Sequence, residues 1–246
     1  MFVKGVKQRV SMLDLWLTCD MKLIILNVSE RLVISMNRIS KTKAYLREMF
    51  DKSEHLNKNP IAKMYRYEHT LRVAHWGERI ALASNLDIDA LVVGCLLHDL
   101  SYIEPMPSKE AQINHGRYAS QLAEAFVMSL GFDEKVAKDI LYGIAIHVDG
   151  VSHFTWRDSI LAESISDADN LDRFDAYRIY EILEITGYSS KSLSEKINYC
   201  EKQIDNIHHY QILELATPYA TDKFREQLDF MLDFYMRLHH QCQMSY

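Results

Sequence analysis

Only 8 glycines and 4 prolines punctuate the 246 residues, and that scarcity narrows the fold more than any other feature. A β-sandwich or barrel needs many tight turns that consume both residues, and a disordered chain is richer still in them. The 48% hydrophobic and 25% charged content is ordinary for a chain that buries one core. What remains is helix, and from residue 40 onward the apolar residues recur at helical spacing almost throughout.

The spacing predicts a short helix over 41–50. Asn59-Pro60, a capping residue with proline at the first helical position, opens a long helix to about Ser84. Asp87 or Asp89 starts 90–100, apolar nearly all round and so expected at the centre of the molecule. A loop with Pro105 and Pro107 follows. A helix over 115–130 stops at Gly131, Asp133 caps the next to about His147, and further helices are expected over 159–184, 193–208 and 221–240. The expectation is an all-α, compact multi-helix bundle. Residues 39–185 would form its main domain, 186–246 would be C-terminal helices packed on it, and 1–38 a poorly defined extension. Met21 and Met36 are alternative starts.

Several function classes fall away. The formal charge of −6 and the pI near 6.0, with no basic stripe, argue against duplex nucleic acid as a main partner. The most apolar stretch, 23–36, is interrupted by Glu30 and Arg31 and falls short of a membrane span. Asp14 and Asp20 break what faintly resembles a signal peptide. Cys19, Cys95, Cys200 and Cys242 are scattered without a CxxC pair, which fits a reducing cytoplasm rather than a disulfide framework or zinc ribbon.

Four sites, one of them the pair His98-Asp99, are ionisable yet sit on core-facing stripes. His69 shares its stripe with Val73, Trp76 and Ile80, and His147 follows Val136, Ile140 and Ile144. His98-Asp99 closes the most apolar helix, and Asp169 follows Leu161 and Ile165, with Asp167 on another face. Buried imidazoles and carboxylates cost several kcal/mol, roughly, unless compensated, and several converging on one centre point to a cation. Imidazole and carboxylate without thiolate suit a divalent ion of the borderline-to-hard kind. Mn²⁺ is the first expectation, with Fe²⁺, Co²⁺, Ni²⁺, Zn²⁺ or Mg²⁺ as alternatives, and one or two ions. Such an ion acidifies bound water and neutralises a phosphate oxygen. Neighbours in a helix diverge by ~100°, so His98 and Asp99 can both point inward only where the helix ends. The same divergence makes His208-His209 and His239-His240 surface pairs. Asp167 and Asp172 read as solvated or capping groups.

With His69 in YEHTLRVAHW, His98-Asp99 in GCLLHDLSY and Asp169 in SDADNLDRFDA, the chain resembles the HD-domain metal-dependent phosphohydrolases over about residues 60–185. The resemblance implies an all-α domain with a mono- or dinuclear centre held by His69, His98, Asp99 and Asp169. His115-Gly116 and His147 are similar to the extra histidines of two-metal branches, among them the symmetrical dinucleoside tetraphosphate hydrolases. The DADxLD context looks like small bacterial HD proteins that cleave nucleoside triphosphates to monophosphate and pyrophosphate. Asn170 stands where Arg is common, and the Lys often found after HD is missing. Arg72 and Arg117 are then the expected phosphate partners, with Arg173 weaker, unless each is spent in an ion pair.

The implied reaction is attack of metal-activated water on a small, nucleotide-like phosphoester or phosphoanhydride. Asp99 is a candidate base, and His115 and His147 would hold a second ion, orient the leaving group or protonate it. The competing readings are a non-catalytic nucleotide sensor and a di-iron, oxygen-dependent enzyme. Tyr210, Tyr219, Phe230, Met231, Phe234, Tyr235 and Met236 offer either a homodimer face or ordinary core packing.

Overall fold

The computed structural model describes residues 38–245, so the expected extension, with Cys19, Met21 and Met36, lies outside the described residues. Ten α-helices occupy this span: α1 (38–52), α2 (Glu54–Asn57), α3 (Pro60–Ser84), α4 (Ile88–Leu97), α5 (Lys109–Ser129), α6 (Glu134–Ile146), α7 (Ile160–Arg173), α8 (Ala176–Ile185), α9 (Leu193–Tyr210) and α10 (Pro218–Gln243). Short 3-10 turns at Leu100–Ile103 and Tyr188–Ser190 join them, and no strand occurs among the described residues. The all-α expectation holds.

The helix starts follow from their caps. The side chains of Asn59 and Asp87 accept hydrogen bonds from Ala62 N and Ala90 N, satisfying amides that have no partner inside the helix. α4 is the hub. Every residue from Asp89 to Leu97 is buried, and α3, α5, α6 and α7 pack around it. The junction after Leu97 is thereby delivered to the middle of the molecule. α6 and α7 cross in direct backbone contact, because a Cβ on Gly143 would stand 2.6 Å from Ala162 O.

Two boundaries differ from the sequence reading. The helix expected from 115 starts at Lys109, where Ser108 accepts from Ala111 N, so His115 sits well inside α5. The single helix expected over 159–184 is two. Phe174 leaves helical geometry at φ −128° and ψ 49°, and Asp175 caps α8 by accepting from Ala176 N. Tertiary packing sets the break: the Phe174 ring meets those of Tyr210 and Phe224 at 4.8 and 5.1 Å, and Asp175 also accepts from the Gln227 amide. The redirected α8 carries Arg178 back toward the end of α7.

α9 and α10 pack on each other, and α10 also lies on α3 and α7. Met231 and Tyr235 are buried, Tyr210, Tyr219 and Phe234 pack partly buried against the core, and Phe230 and Met236 are exposed. Most of the aromatic and methionine stripe is therefore core packing. No helix of the described residues is long and apolar enough to cross a membrane.

Candidate metal centre

α4 ends at Leu97. His98 is still helical at φ −55° and ψ −39°, and Asp99 turns out at φ −103° and ψ 17°. That turn lets two adjacent side chains converge, as the sequence required. α3 supplies His69 from one side, α7 supplies Asp169, α5 supplies His115, and His147 caps the C-terminal end of α6.

Four imidazoles are pinned in the same way. Nδ1 of His98, His115 and His147 lies against the backbone carbonyls of Cys95, Gln112 and Ile144, and Nδ1 of His69 against the Asp172 carboxylate at 2.7 Å. Each of these oxygens can only accept, so each Nδ1 carries the proton and each Nε2 is turned toward its neighbours. The Nε2 atoms of His69 and His98 are 3.3 Å apart, and those of His115 and His147 3.0 Å.

The carboxylates divide between the pairs. Asp99 Oδ2 lies 3.6 Å from both His69 and His98 Nε2, and Asp169 Oδ1 lies 3.2 and 3.9 Å from them. Asp99 Oδ1 faces the other pair, 3.2 Å from His115 Nε2 and 3.7 Å from His147 Nε2. Ligand atoms of His69, His98 and Asp99 lie within 4.8 Å of one another, as do those of Asp99, His115 and His147 and those of His98, His147 and Asp169. Asp99 thus faces both imidazole pairs, one oxygen to each.

The electrostatics fit a cation. Burial pushes the His69 imidazole down, but the carboxylates of Asp169, Asp172 and Asp99 outweigh it and raise it to about 9. His98 has less compensation, and burial drives it down to about 4, leaving a neutral ring with an Nε2 lone pair. Burial would raise Asp99, yet the surrounding imidazoles and Arg66 hold its carboxyl well below the usual range. Asp169 is likewise held down by His69 and His98 against burial. Ionised carboxylates and a neutral His98 are forms that ligate a divalent ion, an ion would take the place of the proton that the carboxylates favour on His69, and the donor set, all nitrogen and oxygen, fits one.

A close approach makes the second pair. A Cβ on Gly116 would stand 2.9 Å from Ala145 O, Ile144 O and His147 Nδ1, so only glycine lets α5 lie against the end of α6 and bring His115 to His147.

Above the cluster lies a cavity of about 170 Å³. Three guanidinium groups line it: Arg66, Arg173 and Arg178. Arg66 donates to Asp99 Oδ2 at 2.9 Å and its guanidinium lies 3.5 Å over the Tyr102 ring. Arg178 donates to Glu181 at 2.7 Å and Arg173 is half exposed, 3.5 Å from Asp169 Oδ2.

The two arginines expected to meet phosphate lie elsewhere. Arg72 is bidentate to Asp172 at 2.6 and 3.1 Å and stacks on Tyr177, and it does not line the cavity. Arg117 spends all its donors on Asn114, Ile113, Asp149 and Val151, clamping the loop after His147. Ion pairing wins at both positions.

Asp172 is also not the solvated group expected. It is buried and orients His69. Asp167, expected to be a solvated or capping group, is 6% exposed and accepts from the backbone at Ala216 N at 2.8 Å, with burial raising its carboxyl to about 7. Helical spacing held the signal for Arg66, three residues before His69, and for Asp172, three after Asp169. Nothing local foretold Arg178, because the break before α8 is tertiary. His208, His209 and His240 are exposed as expected, and His239 is half-buried at the surface near Glu201.

An all-α domain with a buried His/Asp cluster at the end of its central helix defines a metal-binding helical class. Residues 66–173 match the HD domain, which assigns that segment of the chain to the HD-domain superfamily. The chain is similar in structure to a predicted HD superfamily hydrolase from an uncultured Thermotogales bacterium, with a TM-score of 0.54 and 18% sequence identity, over 82% of this chain and 91% of that one. That likeness shows the shared fold. No curated protein matches the chain.

Proposed function

We propose that the protein is a metal-dependent hydrolase of a phosphoester or phosphoanhydride bond in a small, nucleotide-like substrate. The observation that carries this reading is the stacking of two layers: converging imidazole nitrogens and carboxylates below, and three guanidinium groups around the cavity above. The lower layer suits divalent cations, and the upper suits the oxygens of a phosphate.

His69, His98, Asp99 and Asp169 would hold one ion, and Asp99, His115 and His147 a second, with Asp99 shared through its two oxygens. Bound divalent ions supply an acidified water and charge neutralisation at phosphate oxygens. Arg66 restrains the Asp99 carboxylate and faces the cavity, so it couples ligand geometry to substrate binding. Arg173 and Arg178, which line the same cavity, would orient the phosphate. Asp99 is a poor proton acceptor, because its carboxyl is held far below the usual range, and its role is that of a ligand rather than a base. His115 and His147 have their Nδ1 protons committed to backbone carbonyls, so their Nε2 atoms serve as ligands.

The test is hydrolysis of mono-, di- and triphosphates and dinucleoside polyphosphates by protein stripped of metal and reloaded with Mn²⁺, products being resolved by phosphorus NMR. Phosphate or pyrophosphate released by the wild type and lost in Asp99→Ala is the expected result. Two bound ions per chain falling to one in His147→Ala is expected as well. No product from any member of the panel, with ions bound, would overturn the reading.

A further inference from the structure

Two arginines of the candidate metal site are shared with a neighbouring space. Arg173 and Arg178 also line a second chamber of about 220 Å³ between the start of α8 and the faces of α9 and α10. The two chambers share these two arginines in their linings, and their volumes together reach the lower end of the ~300–1,000 Å³ usual for small-molecule sites. Apart from Arg173, the residues of the second chamber lie beyond the segment 66–173 that matches the HD domain.

Its chemistry differs from that of the first. Gln203, Asn206, Ile207 and Tyr210 line it from one stripe of α9, at the spacing of a single helical face. Phe174 and Tyr210, with ring centroids 4.8 Å apart, form an aromatic wall, and Ile207, Met231 and Tyr235 supply a buried apolar floor. Beside the hydroxyls of Tyr210 and Tyr235, the amides of Gln203 and Asn206 are the neutral polar groups of the chamber, and neither amide makes a side-chain hydrogen bond to another described residue. An amide presents a donor and an acceptor side by side. Besides the two shared arginines, no charged group lines the chamber.

We infer that this chamber seats the organic part of the substrate, and that the part it takes is a flat, uncharged heterocycle with hydrogen-bonding edges, joined to a phosphate held at the arginine gap. Resting on the hydrolase reading above, the inference assigns the choice of substrate to α8, α9 and α10. An aromatic wall stacks on a flat ring, the amides read its edge, and the apolar floor disfavours a second charged group.

Adenosine 5′-monophosphate and ribose 5-phosphate test it, because they share the phosphate and sugar and differ in the heterocycle. For Mn²⁺-loaded wild type, kcat/KM for the nucleotide is expected to exceed that for ribose 5-phosphate by about tenfold or more. Tyr210→Ala and, independently, the surface change Asn206→Asp should each cut that ratio to about two, through a higher KM for the nucleotide. A ratio unmoved by both variants, or a parallel fall on both substrates, would overturn the chamber and leave the hydrolase standing. If the wild type turns over neither ester, the bond it cleaves is not a phosphomonoester, and calorimetric binding of the nucleotide then decides the chamber. Binding weakened about tenfold in both variants sustains it; equal binding, or none to the wild type, overturns it.

Discussion

The two chambers are built by opposite means. In the inner one each of the four imidazoles is fixed through its Nδ1, three to backbone carbonyls and one to Asp172, so a hydrogen-bond partner orients every ring. In the outer one Gln203 and Asn206 reach into the space from one helical face with no side-chain hydrogen bond to the rest of the described chain. A ligand atom must be held within a few tenths of an ångström to bind an ion well, and orienting partners supply that precision. A recognition surface gains from groups whose hydrogen bonds are still unspent. The contrast separates a chemical step that depends on pinned rings from a choice of substrate written on a helix face.

The largest effect that sharpens this contrast is Asp99→Ala. It removes the carboxylate that faces both imidazole pairs, so turnover should fall by ~10³-fold or more and bound metal, read by elemental analysis, should fall with it. Activity that survives metal loss would break the inner chamber's assignment. Next comes Asp172→Asn, which keeps the shape but removes the charge that fixes His69 Nδ1. Metal affinity should weaken about 10- to 100-fold, with kcat at saturating metal less affected. Unchanged affinity would mean that His69 needs no orienting partner.

A third effect concerns the far face of α7. An unfolded aspartate titrates near ~3.9, whereas Asp167 in the fold titrates at about 7. Between those values the unfolded chain has lost a proton that the folded chain keeps, so stability falls as pH rises from about 4 to about 7. The substitution Asp167→Asn removes that slope, and the new amide oxygen still accepts from Ala216 N. The variant's gain over wild type should therefore grow by on the order of 2 kcal/mol between pH ~5 and pH ~8 in denaturant unfolding. A difference that is the same at both pH values would show that burial does not govern this carboxyl. The smallest effect on turnover is expected from Arg117→Ala, less than about threefold, since no donor of Arg117 faces the cavity. Its loss should instead lower stability by ~1–3 kcal/mol, visible as a lower Tm. A large loss of kcat would return Arg117 to the phosphate.

Much of this was legible in the chain. Asn59-Pro60, Asp87 and the apolar run to Leu97 give α3 and α4, and the ordered set of His69, His98-Asp99 and Asp169 gives the elements of the inner chamber. These signals are local, because a cap or a stripe declares itself within one or two turns. The division of α7 from α8 is not local. It depends on Phe174 finding Tyr210 and Phe224, residues that no spacing rule connects to it. The arginines elude the sequence for a related reason. A guanidinium goes to whichever carboxylate the fold brings closest, and Arg72 meets Asp172 from 100 residues away, while Arg66, unremarked in the sequence, reaches Asp99.

The missing side chain of Gly116 reaches further than its size. A methyl there would press at once on His147 Nδ1 and on Ile144 O, the two ends of the bond that pins that ring. α5 would have to withdraw, and His115 with it, while His69, His98 and Asp169 stand on other helices. On the two-ion reading, one carbon atom is all that separates this centre from a one-ion relative with the same fold, a step that a single nucleotide change in a glycine codon can take.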